Sequence, residues 1–176
     1  MKVLKNYLEF LYGEENDVKI DMKVAGAIIM KKGINGENLI LLIQRSSSDH
    51  WPLYFEIPRG KCDKGKNEKL IHCLKREVKE EVGLDIIPIK YIDKFQYLAD
   101  KGTRRSTQYN VLCKMKNPKQ EIKLSKEHQN YKWISSVGEA ELLVLPEIKR
   151  TLAKVLNLDS KIIDYPEGGI IKIEEK

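Results

Sequence analysis

Three glutamates crowd one face of a predicted helix near the middle of the chain, and they constrain its fold more than any other feature. Glu77, Glu80 and Glu81 stand at i, i+3 and i+4, so on a helix they are neighbours. Each like-charge pair at this spacing costs roughly 0.2 to 0.5 kcal/mol in an isolated helix, so the cluster requires a compensating cation. Carboxylate oxygens suit magnesium, manganese or calcium rather than zinc. The spacing therefore predicts a helix that holds a divalent metal ion.

An apolar stripe on the same helix predicts that the glutamates lie at the edge of a core. Five apolar residues recur at helical spacing: Leu70, Ile71, Leu74, Val78 and Val82. Because successive residues advance by about 100°, Glu81 falls inside the stripe, and Glu77 and Glu80 fall just outside it. A solvent-exposed helix held by lysine–glutamate pairs is the usual interpretation of such a charge run. That interpretation does not explain a glutamate among the apolar residues.

Residues of suitable type mark both ends of this helix. Asn67 is a suitable N-cap, and Glu68 would place a negative charge in the first turn. Gly83 stands where a residue in the left-handed conformation ends a helix. We therefore expect the helix to begin just after Asn67 and to stop before Gly83.

The stretch from Gly60 to Leu84 resembles the Nudix box. The box is written as Gly, five residues, Glu, seven residues, Arg-Glu, an aliphatic, any residue, Glu-Glu, any residue, Gly and an aliphatic. Glu68 and Arg76 have the required spacing, whereas Gly60 lies two residues too far from Glu68. A two-residue insertion in the glycine-containing, charged loop at 61–66 accounts for the difference.

The Nudix resemblance implies a metal-dependent hydrolase of pyrophosphate linkages in nucleoside polyphosphates. Magnesium, for which manganese can substitute, would be held by the three glutamates and would activate a water molecule. Arg76 would orient a carboxylate, either Glu68 or Glu77. The general base is left open between Glu80 and Glu127. Gly60 and Gly83 have structural roles, as does Glu68.

A second segment is similar to the asymmetrical diadenosine tetraphosphate hydrolases of the same superfamily. Leu124-Ser-x-Glu127-His128-x-x-Tyr131-x-Trp133 matches their pattern, and the upstream run from Asp49 to Lys61, which contains His50, is similar to their His-Trp-x-x-Pro-x-Gly run. The resemblance covers about residues 22 to 156. It implies that Tyr131 stacks on an adenine, that Glu127 lies near the metals and that Arg105 holds phosphates.

Basic residues on both sides of the helix predict binding of a polyphosphate. They precede it at Arg59, Lys61, Lys64 and Lys66, and they follow it at Lys101, Arg104 and Arg105. The net charge of +6 and the pI near 9.0 agree with an anionic partner. Lysines are spread along the whole chain, however, so general solubility explains the net charge equally well.

The order of the predicted elements indicates an α/β fold with a mixed sheet between helices, the Nudix-type α/β/α sandwich. Two strands are predicted at 24–30 and 38–44, around a turn at Gly33–Gly36. Further strands are predicted at 54–57, 86–92, 94–98, 107–115 and 131–134. Val137 to Leu156 is expected to form one or two closing helices, interrupted at Pro146. Residues 1–20 are expected to be an extension, with a short helix or strand at 3–12. The hydrolase domain would span 21–158, and a tail would span 159–176.

Several classes of protein are excluded by the sequence. No run reaches the ~18 apolar residues of a membrane span, and no cleavable signal pattern is present, so we expect a cytoplasmic protein. Three cysteines without a CxxC pair argue against a disulfide scaffold, and Cys73 is expected to pack in the core. His72 on the outer side of the helix and His128 in a loop are too scattered for a metal cluster. No obligate protein partner is evident.

Three functions remain open at this point. The first is cleavage of diadenosine tetraphosphate into ATP and AMP. The second is removal of a 5′ cap or pyrophosphate from RNA, because the run from Phe55 to Lys61 also resembles decapping Nudix proteins and the surface is basic. The third is a nucleotide- or RNA-binding module with little or no catalysis.

Overall fold

The computed structural model describes residues 20–49, 51–62, 68–100, 103–141 and 144–156. The expected segments at 3–12 and 159–176 lie outside these ranges. The elements follow in the order β1 (Ile20–Lys32), β2 (Asn38–Arg45), β3 (Phe55–Glu56), β4 (Arg59–Lys61), α1 (Leu70–Val82), β5 (Ile86–Ala99), β6 (Arg104–Met115), β7 (His128–Ile134), a 3-10 helix (Gly138–Glu141) and α2 (Pro146–Leu156).

Within the described residues the strands form one mixed seven-stranded sheet. Its main order is β3-β2-β1-β6-β5, while β4 pairs with β1 and β7 pairs with β2. The long central pair β1 and β6 is parallel, and the other pairs are antiparallel. The pairing of β4 with β1 brings Arg59 and Gly60 opposite Gly26 and Ala25, and so places the start of the box next to the middle of the sheet.

Two apolar clusters cover opposite faces of the sheet. On one face Leu74, Val78 and Val82 of α1 pack on Ala27 and Ile29 of β1. On the other face Ile148 and Leu152 of α2 pack on Ile28, Met30 and Leu112. Because neighbouring residues of β1 alternate between the two clusters, the sheet lies between the helices. The predicted α/β/α sandwich is confirmed.

The predicted strands are present in the structure, with two differences: β4 was not predicted, and two predicted strands are joined. The β1–β2 hairpin turns at Gly33–Gly36 as expected, with Gly36 at φ 81°. The two strands predicted at 86–92 and 94–98 are a single strand, β5. Irregular pairing at Pro88–Lys90 and Tyr91–Asp93 bends β5 without ending it, because β-bulges let a strand absorb an extra residue.

Helix α1 begins later than the sequence predicts, whereas the closing segment is divided at Pro146 as expected. Asn67 lies outside the described residues, and α1 has Lys69 at its N-cap with no side-chain cap bond, so Glu68 precedes the helix and is not in its first turn. Arg76 engages Glu68, which explains its position. Helix α2 begins at Pro146, where a proline suits the first turn. In the described parts of the chain, no helix has the length and apolar character to cross a membrane.

Candidate active site

The three glutamates of α1, called here the carboxylate cluster, differ in exposure. The side chains of Glu77 and Glu81 are 14% and 12% exposed, whereas that of Glu80 is 48% exposed. Gly83 ends the helix in the left-handed conformation at φ 73°, as predicted. Among the apolar stripe residues Ile71 is only partly buried, and Cys73 is fully buried instead. Glu77 and Glu81 therefore lie at the boundary of the core, and Glu80 lies on its solvent side.

Arg76 holds the carboxylate cluster from its outer side. Its Nε and Nη2 donate to the two carboxylate oxygens of Glu68 at 2.9 and 2.8 Å, and its Nη1 donates to Glu77 at 2.6 Å. Nη1 also donates to Glu80 over a longer distance of 3.4 Å. Nη2 also donates to the Lys61 carbonyl at 3.0 Å. The bond with Glu68 is the main reason why the pKa of the Arg76 guanidinium is raised. Both predicted carboxylate contacts of Arg76 are present.

Gly60 lies directly against Glu77. A Cβ atom at Gly60 would overlap the Glu77 carboxylate, which cannot move away cheaply because Arg76 holds it. Only glycine therefore allows β4 to approach α1 this closely. The arrangement explains why this position requires glycine.

A second charged group, called here the arginine pocket, consists of Arg45, Glu56 and Arg59. Glu56 is 5% exposed and accepts from Arg45 Nη1 at 2.8 Å and from Arg59 Nε at 2.7 Å. Burial alone would raise the pKa of Glu56, but the Arg59 charge, a hydrogen bond from His128 and the Arg45 charge together lower it to about 2. Glu56 is therefore ionised, and its charge is neutralised by groups of the protein itself.

Two contacts connect the arginine pocket to the carboxylate cluster. The backbone N–H of Arg59 donates to Glu81 Oε2 at 2.8 Å. The imidazole of His128 lies between the two carboxylates, with Nε2 3.6 Å from Glu56 Oε1 and 4.0 Å from Glu81 Oε1. Its Nδ1 is 3.2 Å from Ser125 Oγ. The two groups thus form one continuous polar site beside β4.

Glu77 and Glu81 of α1 differ from Glu56, because the protein does not fully stabilise their ionised forms. Burial is the main cause that raises the pKa of Glu81 well above its ordinary value, and the Glu56 charge raises it further. Burial likewise raises the pKa of Glu77, against the lowering effect of Arg76. A divalent cation beside these oxygens would reverse both shifts, because an opposite charge favours the ionised carboxylate.

The donor set fits a hard cation in chemistry, although its side chains are not gathered around one point. Among the described residues, no three acidic, histidine or cysteine side chains converge closely enough to enclose a metal ion. The reason is that Arg76 holds Glu77 and Glu80 on one side, while Glu81 turns toward Arg59 and His128. Carboxylate-only donors remain the type that magnesium or manganese binds.

Sequence reasoning missed Glu56 and placed His128 wrongly. His128 is the first residue of β7 and is buried in the site, whereas a loop position was predicted. Both residues stand inside segments that carry the family resemblance, Phe55-Glu-Ile-Pro and Glu127-His128. A charged residue at a buried strand position was the signal that could have found Glu56, because such residues require partners.

The remaining predicted site residues lie on β4, β6 and β7, just before β7, or outside the described chain. Tyr131 is 43% exposed on β7 opposite Ile43, which belongs to the α1-side core. Glu127 is exposed just before His128, and its carbonyl accepts from the Ser46 N–H at 2.9 Å. Arg105 lies near the start of β6, with Nη1 3.8 Å from Asp21. Lys61 is exposed at the end of β4; His50, Lys64, Lys66 and Lys101 lie outside the described residues.

A disulfide joins Cys62 to Cys73, contrary to the expectation from the odd cysteine count. The Cα atoms are 5.2 Å apart because β4 runs beside α1 and carries Cys62 past the first turns of the helix. Cys113 is free and buried, and burial raises the pKa of its thiol. Cys73 is buried in the core as predicted, but it is also covalently paired.

Comparison with known proteins identifies relatives of this chain. The model of the NUDIX domain family matches residues 22–155. The mouse asymmetrical bis(5′-nucleosyl)-tetraphosphatase is 28% identical over 138 residues, which cover 74% of this chain and 90% of the mouse protein. The m7GpppN-mRNA hydrolase of Saccharomyces cerevisiae is 40% identical over 80 residues, 46% of this chain but only 7% of the yeast protein.

Solved structures agree with these relatives. The crystal structure of a C. elegans Ap4A hydrolase binary complex has a TM-score of 0.61 and 28% sequence identity, and the match covers 76% of this chain and 94% of that one. An MutT protein from Methanosarcina mazei has a TM-score of 0.59 at 23% identity, which is a likeness of fold.

Proposed function

The chain belongs to the NUDIX domain family and is a hydrolase of phosphoric anhydride bonds, and we propose that its substrate is diadenosine tetraphosphate, cleaved asymmetrically into ATP and AMP. The single observation that carries the choice of substrate is the match to the mouse asymmetrical tetraphosphatase over 90% of that protein's length. Tyr131 supports it, because its exposed aromatic ring suits a nucleobase and because Tyr131 and Glu56 both lie opposite Ile43 of β2.

Hydrolases of this family generally use divalent metal ions, and we propose magnesium, with manganese as a substitute. Glu77, Glu80 and Glu81 would hold the ion. When bound, such an ion supplies charge neutralisation for the polyphosphate and activation of a water molecule. Arg76, itself held by Glu68, would orient Glu77 and Glu80 for this role through the bonds that it donates to them.

The positive groups of the site bind the polyphosphate in this proposal. The backbone N–H of Arg59 contacts Glu81, and its side chain is bound to Glu56 of the same site. A guanidinium presents paired N–H donors that match phosphate oxygens. Lys61, Arg105 and His50 add further contacts along the chain of phosphates. Their charge stabilises the leaving nucleotide as the bridging bond breaks.

Two glutamates remain candidates for the general base. Glu80 is half exposed on the metal-binding helix, and Glu127 is exposed beside His128. Either carboxylate can accept a proton from the attacking water, provided that it lies within hydrogen-bond reach of that water. Separate Glu80→Gln and Glu127→Gln variants are compared at saturating magnesium, and the role belongs to the residue whose replacement abolishes turnover that added metal does not restore.

Removal of a 5′ cap or pyrophosphate from RNA is the second candidate function. The 40% identity to the yeast mRNA hydrolase over 80 residues favours it, together with the net charge of +6. The two functions differ in the length of the bound nucleic acid. Affinity for an RNA longer than a dinucleotide that falls steeply with salt concentration would favour the RNA substrate.

One experiment distinguishes these functions. The protein is incubated with magnesium and separately with dinucleoside polyphosphates, ADP-ribose, nucleoside triphosphates and capped RNA, in oxygen-18 water. We expect ATP and AMP from diadenosine tetraphosphate, with the label in one of the two products. If capped RNA is turned over faster than diadenosine tetraphosphate, the second function replaces the first. Hydrolysis that a Glu81→Gln variant retains in full would show that another site, or a contaminant, is responsible.

A further inference from the structure

A row of buried polar side chains crosses the α2 face of the sheet and ends at Arg59. The row consists of Gln108, Asn110 and Asp93, and the first two are fully buried. On the same face Leu112 belongs to the apolar core under α2. A buried amide without partners is destabilising, so polar residues at these positions require both an explanation and a complete set of hydrogen bonds.

The hydrogen bonds of the row run in one direction. Arg59 Nη1 donates to Gln108 Oε1 at 3.0 Å, and Gln108 Nε2 donates to Asn110 Oδ1 at 2.8 Å. Asn110 Nδ2 donates to Asp93 Oδ1 at 2.9 Å. A cation at one end and a carboxylate at the other thus fix the orientation of both amides, because neither can flip without facing donor to donor or acceptor to acceptor.

The backbone of β1 is shaped to admit the row. A Cβ atom at Gly26 would lie 2.5 Å from Asn110 Oδ1 and 2.9 Å from Gln108 Nε2. Glycine at this position therefore lets the strand that pairs with Arg59 approach the two amides. At the far end Asp93 accepts from Thr151 Oγ1 at 3.0 Å and from Lys154 Nζ at 2.7 Å, so the row is anchored on α2.

Arg59 is held so that one edge of its guanidinium remains available. Nε is bound to Glu56, and Nη1 is bound to Gln108 and to the Tyr97 hydroxyl at 3.0 Å. Within the described ranges Nη2 has no hydrogen bond to the protein, and 15% of the side-chain surface is exposed. The remaining donors can therefore meet a phosphate oxygen without any rearrangement of the side chain.

We propose that Gln108 is a positioning residue, which fixes the Arg59 guanidinium for contact with the polyphosphate of the substrate. This inference rests on the proposed function, because it requires that Arg59 binds phosphate. Gln108 touches neither substrate nor metal; it acts through Arg59 alone. Its loss lets the guanidinium rotate, so binding of the polyphosphate weakens while the metal-binding carboxylates stay in place.

The test is a double-mutant cycle on the steady-state kinetics with diadenosine tetraphosphate or the best substrate of the panel. Gln108→Met keeps the length of the side chain and removes both polar atoms. We expect KM to rise roughly tenfold, with kcat within about twofold of wild type. In an Arg59→Lys background the same change should add almost nothing, because the interaction partner is already gone. Gln108→Asn, one methylene too short to reach Arg59, should reproduce the KM effect if Gln108→Met does not fold.

Thr151→Val is the matched control, because it removes buried hydrogen bonds to Asp93 at the other end of the row. We expect it to lower thermal stability and to leave KM unchanged. An equal rise of KM in Thr151→Val, or additive effects of Gln108→Met and Arg59→Lys, would overturn the positioning role. If Arg59→Lys itself leaves KM unchanged, the phosphate-binding role of Arg59 in the proposed function fails. If Arg59→Lys raises KM and Gln108→Met does not, only the present inference fails.

Discussion

Glu56 in the arginine pocket and Glu81 in the carboxylate cluster are both buried glutamates of one site, yet their pKa values move in opposite directions. Burial raises the pKa of each, but at Glu56 the arginines and His128 lower it to about 2. At Glu81 the pKa stays well above its ordinary value, because burial and the Glu56 charge outweigh the single N–H of Arg59 and its charge.

The opposite pKa shifts indicate that the negative charges of the two regions are neutralised by different cations. The arginine pocket contains its own cations, so its charges stabilise the folded chain. Among the described residues Arg76 pairs with Glu77 and the Arg59 N–H donates to Glu81, yet the pKa values of both glutamates are still raised. A cation from solution would favour their full ionisation. On this account Glu56 is neutralised by groups of the protein itself, whereas the carboxylate cluster is built for a cation.

The largest expected effect is the loss of turnover when Glu81 becomes Gln. We expect kcat to fall by about a thousandfold, because a carboxylate that holds the ion is removed while the side-chain shape is kept. The folded state should become no less stable, and without metal it should become more stable, because an uncompensated buried charge is gone. Steady-state kinetics and urea unfolding measure the two quantities.

Glu121→Gln is the matched control for this substitution, because Glu121 is an exposed glutamate in the segment before β7. It should leave both turnover and stability unchanged. If Glu81→Gln unfolds the protein, or retains most of the turnover, the claim that the carboxylate cluster serves a ligand rather than stability is contradicted.

The next effect in size is the loss of stability when Glu56 becomes Gln. We expect the free energy of unfolding at pH 7 to fall by about 3 kcal/mol, because removing one partner leaves Arg45 and Arg59 without their buried counter-charge. The pKa of Glu56 lies at about 2 in the folded chain against 4.5 as its ordinary value. The stabilisation is therefore complete above about pH 4.5 and disappears as the pH falls toward 2.

Urea unfolding of wild type and Glu56→Gln across this pH range checks the prediction. The difference in the free energy of unfolding between wild type and Glu56→Gln should be largest at neutral pH and should become smaller as the pH falls. For Glu81 the sign is opposite: a raised pKa makes its ionised form destabilising above that pKa. A gap that widens as the pH falls would contradict the assignment of Glu56 as the neutralised member.

A smaller effect is expected from the disulfide that ties the strand of the arginine pocket to the helix of the carboxylate cluster. Cys62 and Cys73 are 11 residues apart, and a loop of that size is worth at most about 3 kcal/mol in the unfolded-state entropy model. Unfolding with and without a thiol reductant should therefore differ by this amount or less. In Cys62→Ser the reductant should have no effect, and a reductant effect that persists there would assign the shift to Cys113 or to another cause.

Local features could be predicted from the sequence, and the arginine pocket could not. The i, i+3, i+4 spacing of Glu77, Glu80 and Glu81 and the stop at Gly83 are set within one helix, so they follow from helical geometry. The engagement of Glu68 by Arg76 also follows, because the Nudix box fixes their spacing. The start of α1 was misjudged because Glu68 is used by Arg76 and is not in the first turn.

Contacts between distant segments decide the rest of the site. Glu56 meets His128 across the sheet only because β3 and β7 both pair with β2, a topology that no local pattern contains. The pairing of Cys62 with Cys73 depends in the same way on β4 lying beside α1. Gln108 could not be singled out at all, because a lone glutamine in a strand indicates nothing until Arg59 is placed beside it.

Manganese binding tests the central claim most directly, that the carboxylate cluster requires a cation from solution while the arginine pocket does not. The ion is titrated into wild type and Glu81→Gln at pH 7.5 and is followed by its electron paramagnetic resonance signal. We expect wild type to bind manganese, with affinity that falls as the pH is lowered through the raised pKa values of Glu77 and Glu81. Glu81→Gln should bind at least about tenfold more weakly. Equal affinity in the two proteins, or no binding by wild type, would contradict the account.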